Sequence, residues 1–225
     1  MLETEQFVAS KSLDESEWLK ARRTGVTATQ VAKGATPSGR KEVLASYWSE
    51  FDVIDTPQMA FGRDSEPWLA MWAKQNYDVM PNDWLIRSAD DSLALATPDG
   101  LSLDHSVICE IKTTGKDWGS VDKIPIAYKR QVQWQLYVTG AEYCVFVWLL
   151  RAEFDGLMVP AWYEPKSDVI ERDEQMIEDL KKAADSLWSE LAEGNIQNAK
   201  IRFEQVRHCC RTFSYFGGNV PRLSH

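Results

Sequence analysis

The sequence predicts an α/β fold, α+β in the way its elements segregate, with a mixed central sheet flanked by helices. Three observations lead there. A chain of 225 residues suits one domain large enough to bury a real core. Apolar residues recur at helical spacing toward both ends, and short apolar runs bounded by turn residues fill the middle. No repeat, low-complexity run or clear linker divides the chain. Residues 1–198 are therefore expected to form the domain and 199–225 a basic extension.

The elements follow in order. Residues 14–24 (DESEWLKARRT) read as a short helix, and Thr27-Ala-Thr-Gln30 has the form of a capping box that starts the next. Pro37-Ser-Gly39 reads as a turn, followed by a helix from Lys41 to about Phe51. After the break at Asp55-Thr-Pro57, residues 58–77 space Met59, Phe61, Leu69, Trp72 and Tyr77 as a long helix does. Trp84–Ser88, Leu93–Ala96 and Val107–Lys112 read as strands separated by turn residues. Pro125 opens a helix that Gly140 ends. Tyr143–Leu150 and Leu157–Tyr163 are further strands, Glu171–Glu193 is a long charged helix, and the remainder reads as irregular.

Composition excludes several classes. With 44% hydrophobic and 26% charged residues the chain is globular rather than disordered. The first residues, Met1-Leu-Glu-Thr-Glu-Gln6, lack the basic start and apolar run of a secretory signal, and the longest apolar run, Val145–Leu150, is too short for a bilayer. A cytoplasmic protein with no membrane partner is expected. Cys109 and Cys144 sit in strand-like runs and should be reduced and buried. With Cys209 and Cys210 they form no CxxC pair, which argues against zinc or iron–sulfur sites. The net charge of −9 argues against tight non-specific adhesion to nucleic acid, but not against a local groove. Residues 199–225 carry five Lys/Arg against one Glu, leaving −13 on the rest.

The chemistry concentrates at Asp99 and at Glu110-Ile111-Lys112. Glu110 and Lys112 lie two apart on a strand and share a face. A hairpin can bring Asp99, in its Pro98-Asp99-Gly100 turn, beside Glu110. Two hard oxygen donors next to a cation suit a divalent metal that polarises a phosphodiester and activates water. Mg²⁺ is the expected ion, Mn²⁺ a substitute, and the Ile111 carbonyl a further ligand. Lys112 would orient water or stabilise charge in the transition state. The same Pro-Asp-Gly could be an ordinary hairpin turn and Glu-x-Lys a solvated face. The apolar neighbours Val107, Ile108, Cys109 and Ile111 argue for burial, where charges need partners.

Pro98-Asp99 followed by Glu110-x-Lys112 resembles the PD-(D/E)xK nuclease motif. The wider chain resembles the phage lambda exonuclease family, also called YqaJ-type viral recombinases. Four ordered blocks carry the likeness: Trp18–Arg22 leading to Gly25–Val31, Phe61–Glu66, Thr97–Gly100 with Cys109–Lys112, and Gln131–Tyr137. The resemblance implies a restriction-endonuclease-like core. It implies Asp99 and Glu110 as metal ligands, Lys112 as the water-positioning lysine, and Glu66 in the metal site or its water shell. It implies that Gln133, with Tyr137, faces the scissile phosphate, and that Gln131 is a further DNA contact. It also implies that Arg22 and Thr29 bind the 5′ phosphate of the substrate. Thr27 as a mere helix cap and Arg22 as a surface charge remain open beside that role.

The activity so implied is Mg²⁺-dependent 5′-to-3′ exonuclease action on linear double-stranded DNA, leaving 3′ overhangs for recombination. Partners would be DNA ends, two further copies in a ring trimer, and a single-strand annealing protein. Other PD-(D/E)xK branches are sequence- or structure-specific endonucleases, and a non-catalytic scaffold is the third reading. A scaffold has no reason to gather three carboxylates and a lysine. Of the ten tryptophans, Trp68, Trp72, Trp134 and Trp148 have core periodicity, and Trp48 and Trp118 are open to base stacking or packing.

Overall fold

The computed structural model describes residues 2–48 and 55–213, with side chains for 2–47 and 55–194. Contacts divide the chain into two units, residues 1–187 and 188–225. The first contains both sheets and every candidate site residue.

Local signals account for most helices. In α1 (Glu15–Arg22) the N-cap Asp14 accepts the Glu17 N–H, and in α2 (Ala28–Gly34) the capping box of Thr27 and Gln30 forms as expected. The Pro37-Ser-Gly39 segment is not a turn but the first turn of α3 (Pro37–Trp48). Pro37 occupies the first helical position, where a missing N–H costs nothing, and the Thr36 hydroxyl accepts the Gly39 N–H at 3.2 Å. Gly39 is required at this corner, because a Cβ would lie 2.2 Å from the Lys33 carbonyl oxygen. The predicted helix end at Phe51 lies outside the described residues. Thr56 caps α4 (Pro57–Tyr77), and Gly140, at φ 71°, ends α5 (Ile126–Thr139).

The strands form two sheets. One orders β1 (Phe7–Ser10), β4 (Trp84–Arg87), β5 (Ala94–Ala96) and β2 (Val26–Thr27), with β2 and β5 parallel. The other orders β10 (Lys166–Glu171), β8 (Tyr143–Phe154), β7 (Val107–Thr114), β6 (Gly100–Ser102) and β3 (Val79–Pro81), with β9 (Leu157–Pro160) pairing the outer half of β8. Only β7 and β8 are parallel in it. The short strands β1, β2, β3 and β6 and the edge strand β10 were not expected from sequence. Glu171 ends β10 rather than starting a helix. The last helix, α6 (Glu174–Phe213), begins after Asp173, whose carboxylate accepts the Met176 N–H at 3.0 Å. Its backbone stays helical to Phe213 where irregular chain was expected. A lone Gly194 costs a helix only about 1 kcal/mol, and no proline follows until Pro221. The basic residues of this stretch lie outside the described side chains.

The β7–β8 pair positions the site. Buried on both faces, it reads as an almost continuous apolar run. Odd-numbered residues (Cys109, Ile111, Val145, Val147, Leu149) pack with Leu69, Ala70 and Ala73 of α4. Even-numbered residues face α5. Trp134 and Trp148 are fully buried as expected, and Trp72 packs partly buried on the α4 side. Trp68 corrects the expectation: it is 38% exposed, because the buried stripe of α4 runs through Ser65, Leu69 and Ala73 and leaves Trp68 at its margin. Cys109 and Cys144 are free and buried, with burial pushing both thiols well up. Among the described residues no helix is long and apolar enough to cross a membrane.

Candidate active site

The β6–β7 hairpin brings Asp99 to Glu110. Gly100 pairs with Cys109, a close approach that only glycine allows, since a Cβ there would meet the Cys109 Cβ at 2.9 Å. The Asp99 N–H donates to the Cys109 carbonyl at 3.0 Å, and the Ile111 N–H donates to Asp99 Oδ2 at 2.7 Å. The Asp99 carboxylate thus continues the ladder in place of a backbone carbonyl and lies against the strand that carries Glu110 and Lys112.

Glu110 is buried, and among the described residues the hydrogen bonds to its carboxylate come from side chains of β7 and α5. Lys112 and Gln131 (2.6 Å) donate to Oε1, and Gln135 (2.6 Å) donates to Oε2. Lys112 also lies 5.4 Å from the centre of the Tyr128 ring, a cation–π contact. Tyr128, Gln131 and Gln135 recur at helical spacing and form the face of α5 that meets β7.

The charges do not balance among themselves. Burial raises the Asp99 carboxyl well above the usual range, the negative charges of Glu110 and Glu66 add to the rise, and Lys112 only partly offsets them. Burial alone would lower the Lys112 pKa. The carboxylates of Glu110 and Asp99 outweigh it, so the ammonium is held protonated above its ordinary value. Glu66 itself is exposed on α4. Asp99 and Glu110 beside one ammonium, with Glu66 acting on Asp99 from α4, leave negative charge that a hard cation would neutralise. Asp99 Oδ1 accepts no hydrogen bond among the described residues, and Gln135 Oε1 and Thr97 Oγ1 are buried without partners. Among the described residues no group of three or more His, Cys, Asp or Glu side chains is placed to hold a metal ion. Two carboxylates with water completing the shell is a common arrangement for Mg²⁺, so the donor set fits such an ion.

Other candidates lie elsewhere. Gln133, expected at the scissile phosphate, faces away. Its Nε2 donates to the Glu171 carbonyl at 2.7 Å, and its Oε1 accepts the Asp173 N–H at 2.8 Å, tying α5 to the junction of β10 and α6. Tyr137, four residues on, shares that side: its ring lies 5.3 Å from Trp134 and under Lys181. Gln131, expected on DNA, holds Glu110. Gln135 was missed altogether, although its i, i+4 relation to Gln131 was a readable signal. Trp118 packs among Tyr128, Phe146 and Trp148, with ring centres 5.7–6.2 Å away, and the Trp48 side chain lies outside the described residues.

Arg22, at the end of α1, stacks its guanidinium 4.4 Å from the Trp18 ring centre and has no carboxylate partner among the described residues. Burial lowers its pKa. Thr29 is exposed in the first turn of α2.

Comparison with known proteins follows the same lines. The family model of the YqaJ-like viral recombinase domain matches residues 17–142. The alkaline exonuclease LHK-Exo from Laribacter hongkongensis superposes with a TM-score of 0.64 at 25% identity, covering 85% of this chain and 99% of that one. A second structure of that enzyme, in complex with dAMP, matches equally. A phage related exonuclease from Haemophilus somnus 129PT shares the fold, with a TM-score of 0.57 at 13% identity over 76% of this chain and 96% of that one. No curated protein matches in sequence. The mixed sheet with flanking helices is the PD-(D/E)xK fold of the alkaline exonucleases, and the chain belongs to the YqaJ-like viral recombinase family.

Proposed function

We propose that this protein is a divalent-metal-dependent exonuclease that degrades linear double-stranded DNA from the 5′ end and leaves 3′ single strands for recombination. The observation that carries the reading is the pair of carboxylates, Asp99 and Glu110, that the β6–β7 hairpin holds beside Lys112, with Glu66 adding negative charge at Asp99. The likeness to an alkaline exonuclease supports it.

In this reading Asp99 and Glu110 hold Mg²⁺, or Mn²⁺ in its place, with the Ile111 carbonyl as a further ligand and Glu66 in the water shell. Such an ion, when bound, would supply polarisation of the scissile phosphate and a lowered pKa for the attacking water. Lys112 keeps its proton and presents positive charge to the reacting phosphate. Gln131 and Gln135 fix both oxygens of Glu110, so the carboxylate needs no reorganisation when substrate arrives. Arg22, desolvated on Trp18 and without an acidic partner among the described residues, is disposed to take a 5′ phosphate, with Thr29 nearby in sequence. A ring trimer around DNA and a single-strand annealing protein as partner belong to the same reading. So does the role of residues 199–225 as a basic extension of a nuclease domain.

The test is digestion of end-labelled duplex DNA with Mg²⁺, comparing 5′-phosphorylated, 5′-hydroxyl and covalently closed circular substrates. Processive loss of the 5′-phosphorylated strand, with circles left intact, is expected. Clean cutting of circles would make the protein an endonuclease instead. Equal rates on the two linear ends would remove the role of Arg22.

A further inference from the structure

The Pro98-Asp99 turn is held by a residue outside the hairpin. Asn82 follows β3 and lies half-buried against the turn. Its backbone N–H donates to the Asp99 carbonyl at 3.0 Å, and its side-chain Nδ2 donates to the Pro98 carbonyl at 2.8 Å. The same amide is fixed in turn. Nδ2 also reaches the Trp84 carbonyl at 3.3 Å, and Oδ1 accepts the Trp84 N–H at 3.4 Å. The next residue anchors the segment to the first sheet: Asp83 accepts the Ser12 N–H at 2.7 Å and the Ser10 hydroxyl at 3.0 Å.

These bonds leave Asp99 little freedom. Its N–H is held by Cys109, its carbonyl by Asn82, and one carboxylate oxygen by Ile111. The preceding peptide is held by the Asn82 side chain. Pro98 is buried, so its carbonyl requires a donor, and nothing else among the described residues supplies one. Both chain directions through the turn are therefore fixed, and with them the position of the Asp99 carboxylate beside β7.

We propose that Asn82 is a positioning residue for Asp99 that presets the geometry with which its carboxylate takes a divalent cation. It acts through the Pro98-Asp99 backbone and touches neither metal nor DNA. The proposal rests on the metal-site reading above. Groups that orient a metal ligand commonly contribute a factor of 10–100 to metal affinity.

Mn²⁺ binding to the full-length protein, followed by electron paramagnetic resonance without DNA, tests this directly. Asn82→Ala removes the side-chain donor. Asn82→Asp keeps the size and the acceptor for Trp84 but loses the donor to Pro98. Both should weaken Mn²⁺ binding about tenfold, with turnover recovering toward wild type at saturating Mn²⁺. Amide exchange at Asp99 and Gly100 should quicken in metal-free buffer. Asp83→Asn, which perturbs the neighbouring anchor, should leave Mn²⁺ affinity unchanged. Wild-type Mn²⁺ affinity in both Asn82 variants overturns the inference alone. Absence of Mn²⁺ binding by the unsubstituted protein overturns the metal-site reading and the inference together.

Discussion

Two aspartates stand at opposite ends of strand β6, and their surroundings treat negative charge in opposite ways. Asp104, in the turn to β7, accepts from the Ser102 hydroxyl at 2.7 Å and from the Ser106 N–H and hydroxyl at 3.0 and 2.8 Å. Those donors hold its carboxyl down at about 2. Asp99, at the other end, is half-buried, and desolvation with the negative charges of Glu110 and Glu66 pushes it well up. A carboxylate that shapes a turn is surrounded by donors and is content when ionised. A carboxylate placed among its own kind is content only when a cation arrives. In a chain of net charge −9 the second environment marks a site far better than the count of acids does.

The largest effect should come from removing Lys112, the cation bonded to Glu110. Lys112→Ala is expected to lower cleavage by about 10²–10⁴ while duplex binding in Ca²⁺ stays close to wild type. Asp104→Asn should leave turnover unchanged. Near-wild-type cleavage by Lys112→Ala, or an equal loss with Asp104→Asn, would break the contrast between the two ends of β6.

The two sides of α5 sharpen the same contrast. Gln135 and Gln133 are both buried amides, two residues apart, yet one holds Glu110 and the other holds the junction of β10 and α6. Gln135→Leu should reduce activity by about 10–100-fold with only a modest change in stability. Gln133→Leu should cost about 1–3 kcal/mol of stability, because the Asp173 N–H and the Glu171 carbonyl lose their partners, while the folded fraction keeps its activity. Paired urea denaturation and initial-rate measurements separate the two. The reverse pattern would return the Gln133–Tyr137 side to the reaction.

That side was where the sequence misled, and the reason is physical. Val132, Gln133, Trp134, Gln135 and Leu136 are all buried, so this stretch of α5 has no wet face and helical periodicity cannot say which glutamine meets the strand. The helices with caps were readable because capping is local: Asp14, Thr27, Thr56 with Pro57, and Gly140 each act within a few residues of themselves. Strands β1, β2, β3 and β6 were not, since two to four residues carry too little pattern and their pairing partners are distant in sequence. The meeting of Asp99 and Glu110 was legible because a single hairpin makes it. The amide of Asn82 against Pro98 was not, because it depends on how β3 returns along β6.

The smallest effects should distinguish the aspartates by sign. For Asp104 the folded carboxyl lies at about 2, against about 3.9 when unfolded. The unfolded state therefore binds more protons between those values, and the stabilisation is complete above about pH 4 and lost as pH falls toward 2. Asp104→Asn should thus be less stable than wild type at neutral pH, with the difference closing in acid. For Asp99 the shift is upward, so the ionised form burdens the metal-free fold at neutral pH and relief comes as pH falls. Asp99→Asn keeps an oxygen for the Ile111 N–H and should raise the metal-free melting temperature while abolishing the gain that Mn²⁺ gives the wild type. Thermal denaturation in EDTA and in Mn²⁺, at neutral and acid pH, reads both. If Asp99→Asn lowered metal-free stability as Asp104→Asn does, Asp99 would be a turn residue like its counterpart, and the charge imbalance at the site would lose its meaning.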